Sequence, residues 1–393
     1  MAKAVAEEAN VQTKRAKEND TMKFRAPQTL LAASLDRVLQ VVPQKTTMPI
    51  LGHLLVEAEA GSVRMTATDL DLTVTTTIEA TVEKEGAVTM PAKRFAEIVR
   101  QLDPTSDVEI EVQRSNILLT GGRASFRILG MAAEEFPKTP EADLKKAFAL
   151  STEIVRKAVQ RTIFCVSRDE TRRALTGVLW EITASSLALV GTDGHRLARI
   201  SLPVGIEIDG RKEVIVPTKA LQQLLRLAGE FPETTFAAKI ASDHAVFRVE
   251  GTMLFTRLIE GPFPKYQDVI PRNNEKRLVV KRGELMDALR RVNLLSDTIT
   301  HQVRFSLKQD SLVLSARTQD IGEAREEVEA QYGSEEMDVG YNGAYLGDIL
   351  RNMESEEVLI SLSTPLNAGL FEPLEQNKDE NYLCLVMPLR LID

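Results

Sequence analysis

The segment 187–200, LALVGTDGHRLARI, sets Asp193, His195, Arg196 and Arg199 between apolar runs. An Asp two residues from a His has the residue types of a catalytic pair, one orienting and one accepting a proton. Such a pair needs a nucleophile, and none is evident beside it. One Asp and one His are too few to hold a metal, and the four His and two Cys of the chain show no ligand spacing. Asp193 followed by Gly194 also suits a turn. A pocket enzyme using Asp193, His195 and Arg196, a metal site and a turn are the three readings of this stretch. The elements that carry it must separate them.

Those elements recur. VTMPAKRFAEIVRQL (88–102) and VIVPTKALQQLLRLA (214–228) are alike, and MDVGYNGAYLGDILRNM (337–353) fits the same slot, which places Pro91, Pro217 and Tyr341 126 and 124 residues apart. VRMTATDLDLTV (63–74), LALVGTDGHRLARI and LVLSARTQDIGEAREEV (312–328) form a second series, with Asp69, Asp193 and Asp320 spaced by 124 and 127. Phe136-Pro137 and Phe263-Pro264 lie 127 apart. Without the first 21 residues the chain has 372, three times 124. Each copy is itself doubled. TLLAASLDRVLQVV (29–42) has helical spacing and precedes alternating segments, and PAKRFAEIVRQL then precedes DVEIEVQRSN, ILLTGG and RASFRILG. The unit is one helix with three to four strands, repeated six times, an α+β architecture. SRDETRRALTG and PRNNEKRL read as loops.

The chain of 393 residues is 43% hydrophobic and 27% charged, the balance of a soluble globular protein. No apolar run is long enough for a membrane helix, and no signal peptide is expected. Cys165 and Cys384 make no disulfide framework, so a reducing cytoplasm is expected. Residues 1–21, polar and mixed in charge, read as a disordered extension. The net charge is −8, which taken alone argues against nucleic-acid binding by the whole surface. Yet the six helical segments, taken as 29–42, 91–102, 152–164, 217–228, 282–295 and 342–353, total +7, leaving −15 elsewhere. A basic lining inside an acidic exterior would attract phosphates without reading sequence. Aromatics are 5%, with no zinc finger or recognition helix for base readout. No G-x-x-x-x-G-K-[ST] loop occurs, so the chain has no P-loop of its own.

The threefold repeat, TDGHRLA after an apolar strand, FPKYQDVIP and the terminal LVMPLRL together resemble the bacterial sliding clamp family, the β subunit of the DNA polymerase III holoenzyme, over about residues 22–391. The resemblance implies the DNA-clamp fold, with domains at 22–147, 148–271 and 272–393 after the extension 1–21. It implies a head-to-tail homodimeric ring, helices lining the hole and sheets outside. It further implies a non-catalytic processivity factor without metal or cofactor. Implied partners are duplex DNA, the polymerase α subunit, a clamp-loader ATPase, and translesion polymerases and mismatch-repair proteins with Gln-Leu-x-Leu-Phe-like motifs. The implied place is the bacterial cytoplasm, at the nucleoid and replisome. A non-ring DNA-binding module is the other alternative to the enzyme.

By the same resemblance, TDGHRLA belongs to a pocket for partner peptides. Thr192, Gly194, His195, Arg196 and Leu197 match that motif. Leu175, Pro264, Val269, Asn342, Tyr345, Leu366, Ala368, Val386, Met387, Pro388, Leu389 and Arg390 complete it from distant segments. An apolar, methionine-bearing groove with polar groups at its edge suits such peptides. Lys45, Arg172, Arg173 and Lys219 are implied to face DNA. Phe126 and Ile128 are implied to meet Leu294 and Leu295 across the dimer seam. Three features depart from the pattern. Asp268 stands where a relative has a basic residue at the pocket rim. Ala174 replaces an aromatic near the DNA, removing a stacking contact. Ile392-Asp393 run past the usual terminal Leu.

Overall fold

The computed structural model describes residues 21–140, 144–318 and 321–391. The expectations for the extension before Thr21 and for Ile392-Asp393 lie outside the described residues. Among those described are six helices of nine or more residues and 25 strands, close to four strands per helix. The helices are α1 (Gln28–Leu39), α2 (Ala92–Gln101), α3 (Thr152–Gln160), α4 (Thr218–Glu230), α5 (Arg282–Val292) and α6 (Gly343–Arg351). They pack in pairs, α1 with α2, α3 with α4 and α5 with α6, which is the doubling legible in the sequence. The buried stripes are Leu31, Leu35 and Val38 on α1, Phe95 and Val99 on α2, and Leu221, Leu224 and Leu227 on α4. Each stripe follows the three- and four-residue spacing that keeps one helical face toward the sheets.

Each second helix of a pair starts as a strand ends. Pro91 and Pro217 close the strands Gly86–Pro91 and Lys212–Pro217 and stand at the N-caps of α2 and α4 with φ −57° and −62°. The ring fixes φ there and removes the donor that would extend the strand ladder. In the third copy Asn342 holds that place, one residue beyond the expected Tyr341. It ends the strand Met337–Asn342, and its side chain accepts the Tyr345 N–H at 3.0 Å. Tyr341 instead points into the core, fully buried. Residue counting slipped by one because loop lengths differ between copies.

The helices as formed carry +5, not the expected +7. Arg161 falls just outside α3 and Glu230 inside α4. Arg161 is not a lining base: its side chain is 8% exposed, pairs with Glu354 at 2.5 Å and Glu380 at 3.6 Å, and lies 5.1 Å from the Tyr382 ring. Lys157 pairs with Glu380 as well. SRDETRRALTG is also more ordered than a loop, with 3₁₀ turns over Glu170–Thr176 kinked at Arg172.

Two compact units form. The first holds the chain up to Ala149 together with Thr234–Arg257. One of its sheets orders Thr81–Lys84, Thr21–Pro27, Asp107–Gln113, Asn116–Gly121 and Ala124–Leu129, so the last is an edge. In its other sheet Leu72–Glu79 pairs antiparallel with Thr252–Arg257, joining the first repeat to strands of the second. The second unit holds Leu150–Glu233 with Leu258 onward. Its twelve-stranded sheet contains the equivalent junction, Arg196–Pro203 against Asn381–Val386. Apolar side chains alternate along Leu72–Glu79, whereas Asn381–Val386 is apolar at consecutive positions and so on both faces.

Candidate functional site

The stretch Thr192–Arg196 is a hairpin turn between Ser186–Thr192 and Arg196–Pro203. Thr192 Oγ1 donates to the Arg196 carbonyl at 2.7 Å and accepts the Gly194 N–H at 3.1 Å. Asp193 Oδ1 accepts the N–H groups of His195 and Arg196 at 2.9 and 3.0 Å. Gly194 has φ +92°, a conformation that glycine adopts without strain. The first repeat builds the same turn. Thr68 Oγ1 bonds the Leu70 N–H and Leu72 carbonyl, Asp69 Oδ1 accepts the N–H groups of Asp71 and Leu72, and Leu70 has φ +81°. Thr and Asp are therefore turn-makers in both copies. What distinguishes the second copy is Gly194, His195 and Arg196 in place of Leu70, Asp71 and Leu72. The corresponding Asp320 lies outside the described residues.

No catalytic pair assembles. Asp193 gives one carboxylate oxygen to backbone N–H groups and the other to Arg196 Nε at 3.1 Å. Among the described residues the exposed His195 ring has no hydrogen-bond partner, so Asp193 does not orient it. The Cys165 thiol, buried beneath the turn, is pushed well above the usual range, chiefly by that burial, and is no nucleophile at neutral pH. No group of three or more His, Cys, Asp or Glu gathers among the described residues to hold a metal.

Arg196 is buried, and every guanidinium nitrogen is occupied. Besides Asp193 it donates to Asp348 Oδ2 at 2.8 Å and to the Phe164 carbonyl at 2.7 Å. Its Cζ lies 4.3 Å from the Tyr345 ring centroid. It therefore ties the turn to α6 from below the groove rather than offering a free charge at the rim. Arg172, implied to face DNA, folds back on the same turn: its guanidinium reaches the Asp193 carbonyl at 2.9 Å and Asp169 at 3.1 Å. Gly191 passes so close to Thr162 that a Cβ would overlap its carbonyl oxygen. Gly191→Ala should cost about 1–3 kcal/mol, read as a lower unfolding midpoint. An unchanged midpoint would show that the Thr162 backbone yields easily.

Beside the turn lies an apolar floor. Leu197 packs with Leu179, Val190, Ile215, Tyr266, Ala368, Leu383 and Leu385. Ala174, Ile259, Phe263, Ile270 and Leu370 border them, half-buried. Tyr266 is fixed by its hydroxyl, which donates to Glu181 at 2.6 Å. The chain then leaves the strand Asn381–Val386 and runs along the site: the Met387 N–H donates to the His195 carbonyl at 2.9 Å, and Leu389 N–H to the Gly340 carbonyl at 2.8 Å. Gln302 Nε2 holds the Arg390 carbonyl at 3.0 Å.

The structure thus brings Thr192, Gly194, His195, Arg196, Tyr345 and Met387 into one bonded group, and places Leu197 and Ala368 in the floor. Val386 pairs with Arg196 across the strands. Leu175 is buried next to Ala174. Val269, Leu366 and Met387 are the exposed apolar side chains, at 53%, 69% and 43%. Pro264 is exposed and Pro388 half-buried. Asn342 serves as a helix cap and Leu389 as a tail anchor, each one bond removed from the groove. Asp268 is exposed. Lys45, Arg173 and Lys219 are exposed. Phe126 and Leu294 are exposed at 36% and 78%, with Ile128 and Leu295 half-buried. Sequence reasoning missed Leu179, Val190, Ile215, Tyr266, Leu383 and Leu385. Tyr266 lies in a 3₁₀ turn; for the others the signal was that four strands are apolar at consecutive positions, and so on both faces.

The architecture has close counterparts. Family models for the N-terminal, central and C-terminal domains of the DNA polymerase III beta subunit match residues 22–140, 149–265 and 267–390. The beta sliding clamp of Chlamydia muridarum is 33% identical over 377 residues, covering 95% of this chain and all of that one. That of Bacillus subtilis is 29% identical, covering 94% of this chain and all of its own. The crystal structure of the Bartonella birtlesii DnaN sliding clamp bound to griselimycin matches with a TM-score of 0.90 at 32% identity, over 94% of this chain and 100% of that one. Fold and repeats are those of a DNA sliding clamp. The chain belongs to the bacterial DNA polymerase III beta-subunit family, the beta sliding clamps.

Proposed function

We propose that two copies close head to tail into a ring around duplex DNA and tether the replicative polymerase through the Leu197 groove. The carrying observation is a seam left open. Two inter-repeat seams are built within the chain by Leu72–Glu79 against Thr252–Arg257 and by Arg196–Pro203 against Asn381–Val386. The third pair of strands is unjoined. Ala124–Leu129 is an edge with Phe126 and Leu129 exposed. Gly322–Gln331 meets its second neighbour only at Ala330 and Gln331. The first edge carries Arg127, and the second is net acidic, with Glu323, Glu326, Glu327 and Glu329 against Arg325, Glu326 already pairing with Arg291. A partner copy supplies each with its missing strand and opposite charge, and closure removes both exposed edges.

The ring holds DNA by topology, with Lys45, Arg173 and Lys219 as diffuse phosphate contacts and three domains at 22–147, 148–271 and 272–393 per copy. A clamp-loader ATPase opens it, and translesion polymerases and mismatch-repair proteins share the groove through Gln-Leu-x-Leu-Phe-like motifs. The clamp catalyses nothing, and raises the effective concentration of its partners at the primer end. It works in the bacterial cytoplasm; no described helix is long and apolar enough to cross a membrane.

Loaded with a matched loader and ATP onto nicked circular DNA, the clamp should stay on the circle and be lost once the circle is cut. Equal retention on both forms would mean contact-based binding. In the groove, Val269→Asp with Leu366→Asp, both at exposed positions, should weaken a fluorescent Gln-Leu-x-Leu-Phe peptide by about tenfold or more, because charge there opposes burial of its apolar end. Unchanged affinity would move the peptide site elsewhere.

A further inference from the structure

The strand register that builds the apolar floor recurs at the junction inside the first unit. Leu55 faces Thr66 and Thr89 there, as Leu179 faces Val190 and Ile215. Thr73 faces Phe255 and Thr75 faces Met253, as Leu197 faces Leu385 and Arg199 faces Leu383. The floor positions Val190, Leu197 and Ile215 have thus become Thr66, Thr73 and Thr89. On this face lies a cleft of about 420 Å³, within the range of ligand pockets. Its lining includes Thr66, Thr73, Thr75, Thr77, Met253 and Phe255, with Arg64, Arg248 and Glu250. Arg64 has only long ion pairs, 3.7 Å to each of Glu57 and Glu59. Arg248 is exposed and has no ion pair among the described residues.

We propose that this cleft is a second groove for an extended partner segment, one that presents carboxylate side chains where segments bound at Leu197 present apolar anchors. The proposal rests on the peptide-groove reading of Leu197 and extends it. Thr66 and Thr73 are 1% and 6% exposed, so the floor of the cleft is already dry, and hydroxyls stand there in place of the methyl groups that would receive an apolar anchor. The hydroxyls are already bonded, Thr66 to Thr75 at 3.1 Å and Thr73 to Thr68 at 2.8 Å. A carboxylate gains charge-assisted bonds from Arg64 or Arg248. Glu250 opposes a continuous acidic run, so the fitting segment alternates acid with small polar residues. Phe255 and Met253 provide the apolar surface over which its backbone lies.

Methyl-labelled methionine in the full-length clamp reads both grooves, through Met253 in the cleft and Met387 at the Leu197 groove. A peptide alternating Ser and Glu should shift the Met253 methyl signal, and Arg64→Ala with Arg248→Ala should weaken that binding at least about tenfold. A Gln-Leu-x-Leu-Phe peptide should shift Met387 alone and saturate at one per chain. Thr66→Val with Thr73→Leu should raise its stoichiometry to two. An unmoved Met253 signal with the acidic peptide, equal affinity in the arginine variant, or a stoichiometry still at one in a folded threonine variant would each overturn the proposal. An unmoved Met387 with the apolar peptide would instead overturn the Leu197 groove.

Discussion

Arg196→Ala should lower the stability of the clamp by about 3 kcal/mol or more, as truncation of one partner in a buried charge pair does. The side chain is only 10% exposed and Asp193 12%, so water cannot replace what the guanidinium gives. Its loss strands the second Asp193 oxygen and the Phe164 carbonyl and uncovers the Tyr345 ring. Asp348 suffers less, being 36% exposed and still bonded to Arg351 at 2.9 Å. Arg196→Lys should recover only part of the loss, because an ammonium cannot address three acceptors in the guanidinium plane. Denaturant titration decides: a change below about 1 kcal/mol, the worth of an exposed pair, would show that these bonds act as surface contacts do. The same variant should lose peptide affinity, since the turn and α6 no longer share an anchor.

Leu294→Asp should convert a dimer of twice 43.6 kDa into monomers at micromolar concentration, measured by native mass. Leu294 is 78% exposed in the single chain, so the fold tolerates the change. Across the proposed seam the carboxylate would meet Phe126 with no partner, and an unpaired charge in an apolar contact costs about 3 kcal/mol, or roughly a hundredfold per seam. A two-copy ring has two identical seams, so one substitution acts twice. The monomer should then fail to stay on circular DNA. A variant that remains dimeric would place the seam away from Leu294.

The repeat was readable because its turn leaves little freedom. Thr68-Asp69 and Thr192-Asp193 each serve several backbone groups within five residues, and such local bonding leaves its mark in adjacent letters. Helix ends were less readable: Pro91 and Pro217 announce themselves, but Asn342 caps through a side chain that any loop could carry. The floor stayed hidden because Leu179, Val190 and Ile215 sit in the continuous apolar runs VLW, LALV and VIV, which do not say which face is core. Only strand pairing shows that they share a face with Leu383 and Leu385. Arg196 was visible as a base beside the groove, whereas its partners Phe164 and Asp348 are 32 and 152 residues away. The threonines of TDLDLTVTTT were equally visible, but their meaning depends on a register with Met253 and Phe255 that no local pattern contains.

The floor draws on Leu383 and Leu385, and Met387 N–H closes onto His195. Ribosomal synthesis proceeds in chain order. Leu179, Val190 and Leu197 are made long before the strand that completes their groove. A chain stopped or clipped ahead of Asn381 has the turn and six of the eight floor residues, but lacks Leu383, Leu385 and the strand that carries them. In the proposed tether the groove is thereby a check on synthesis: a partner that engages it has met a chain translated through Asn381–Val386.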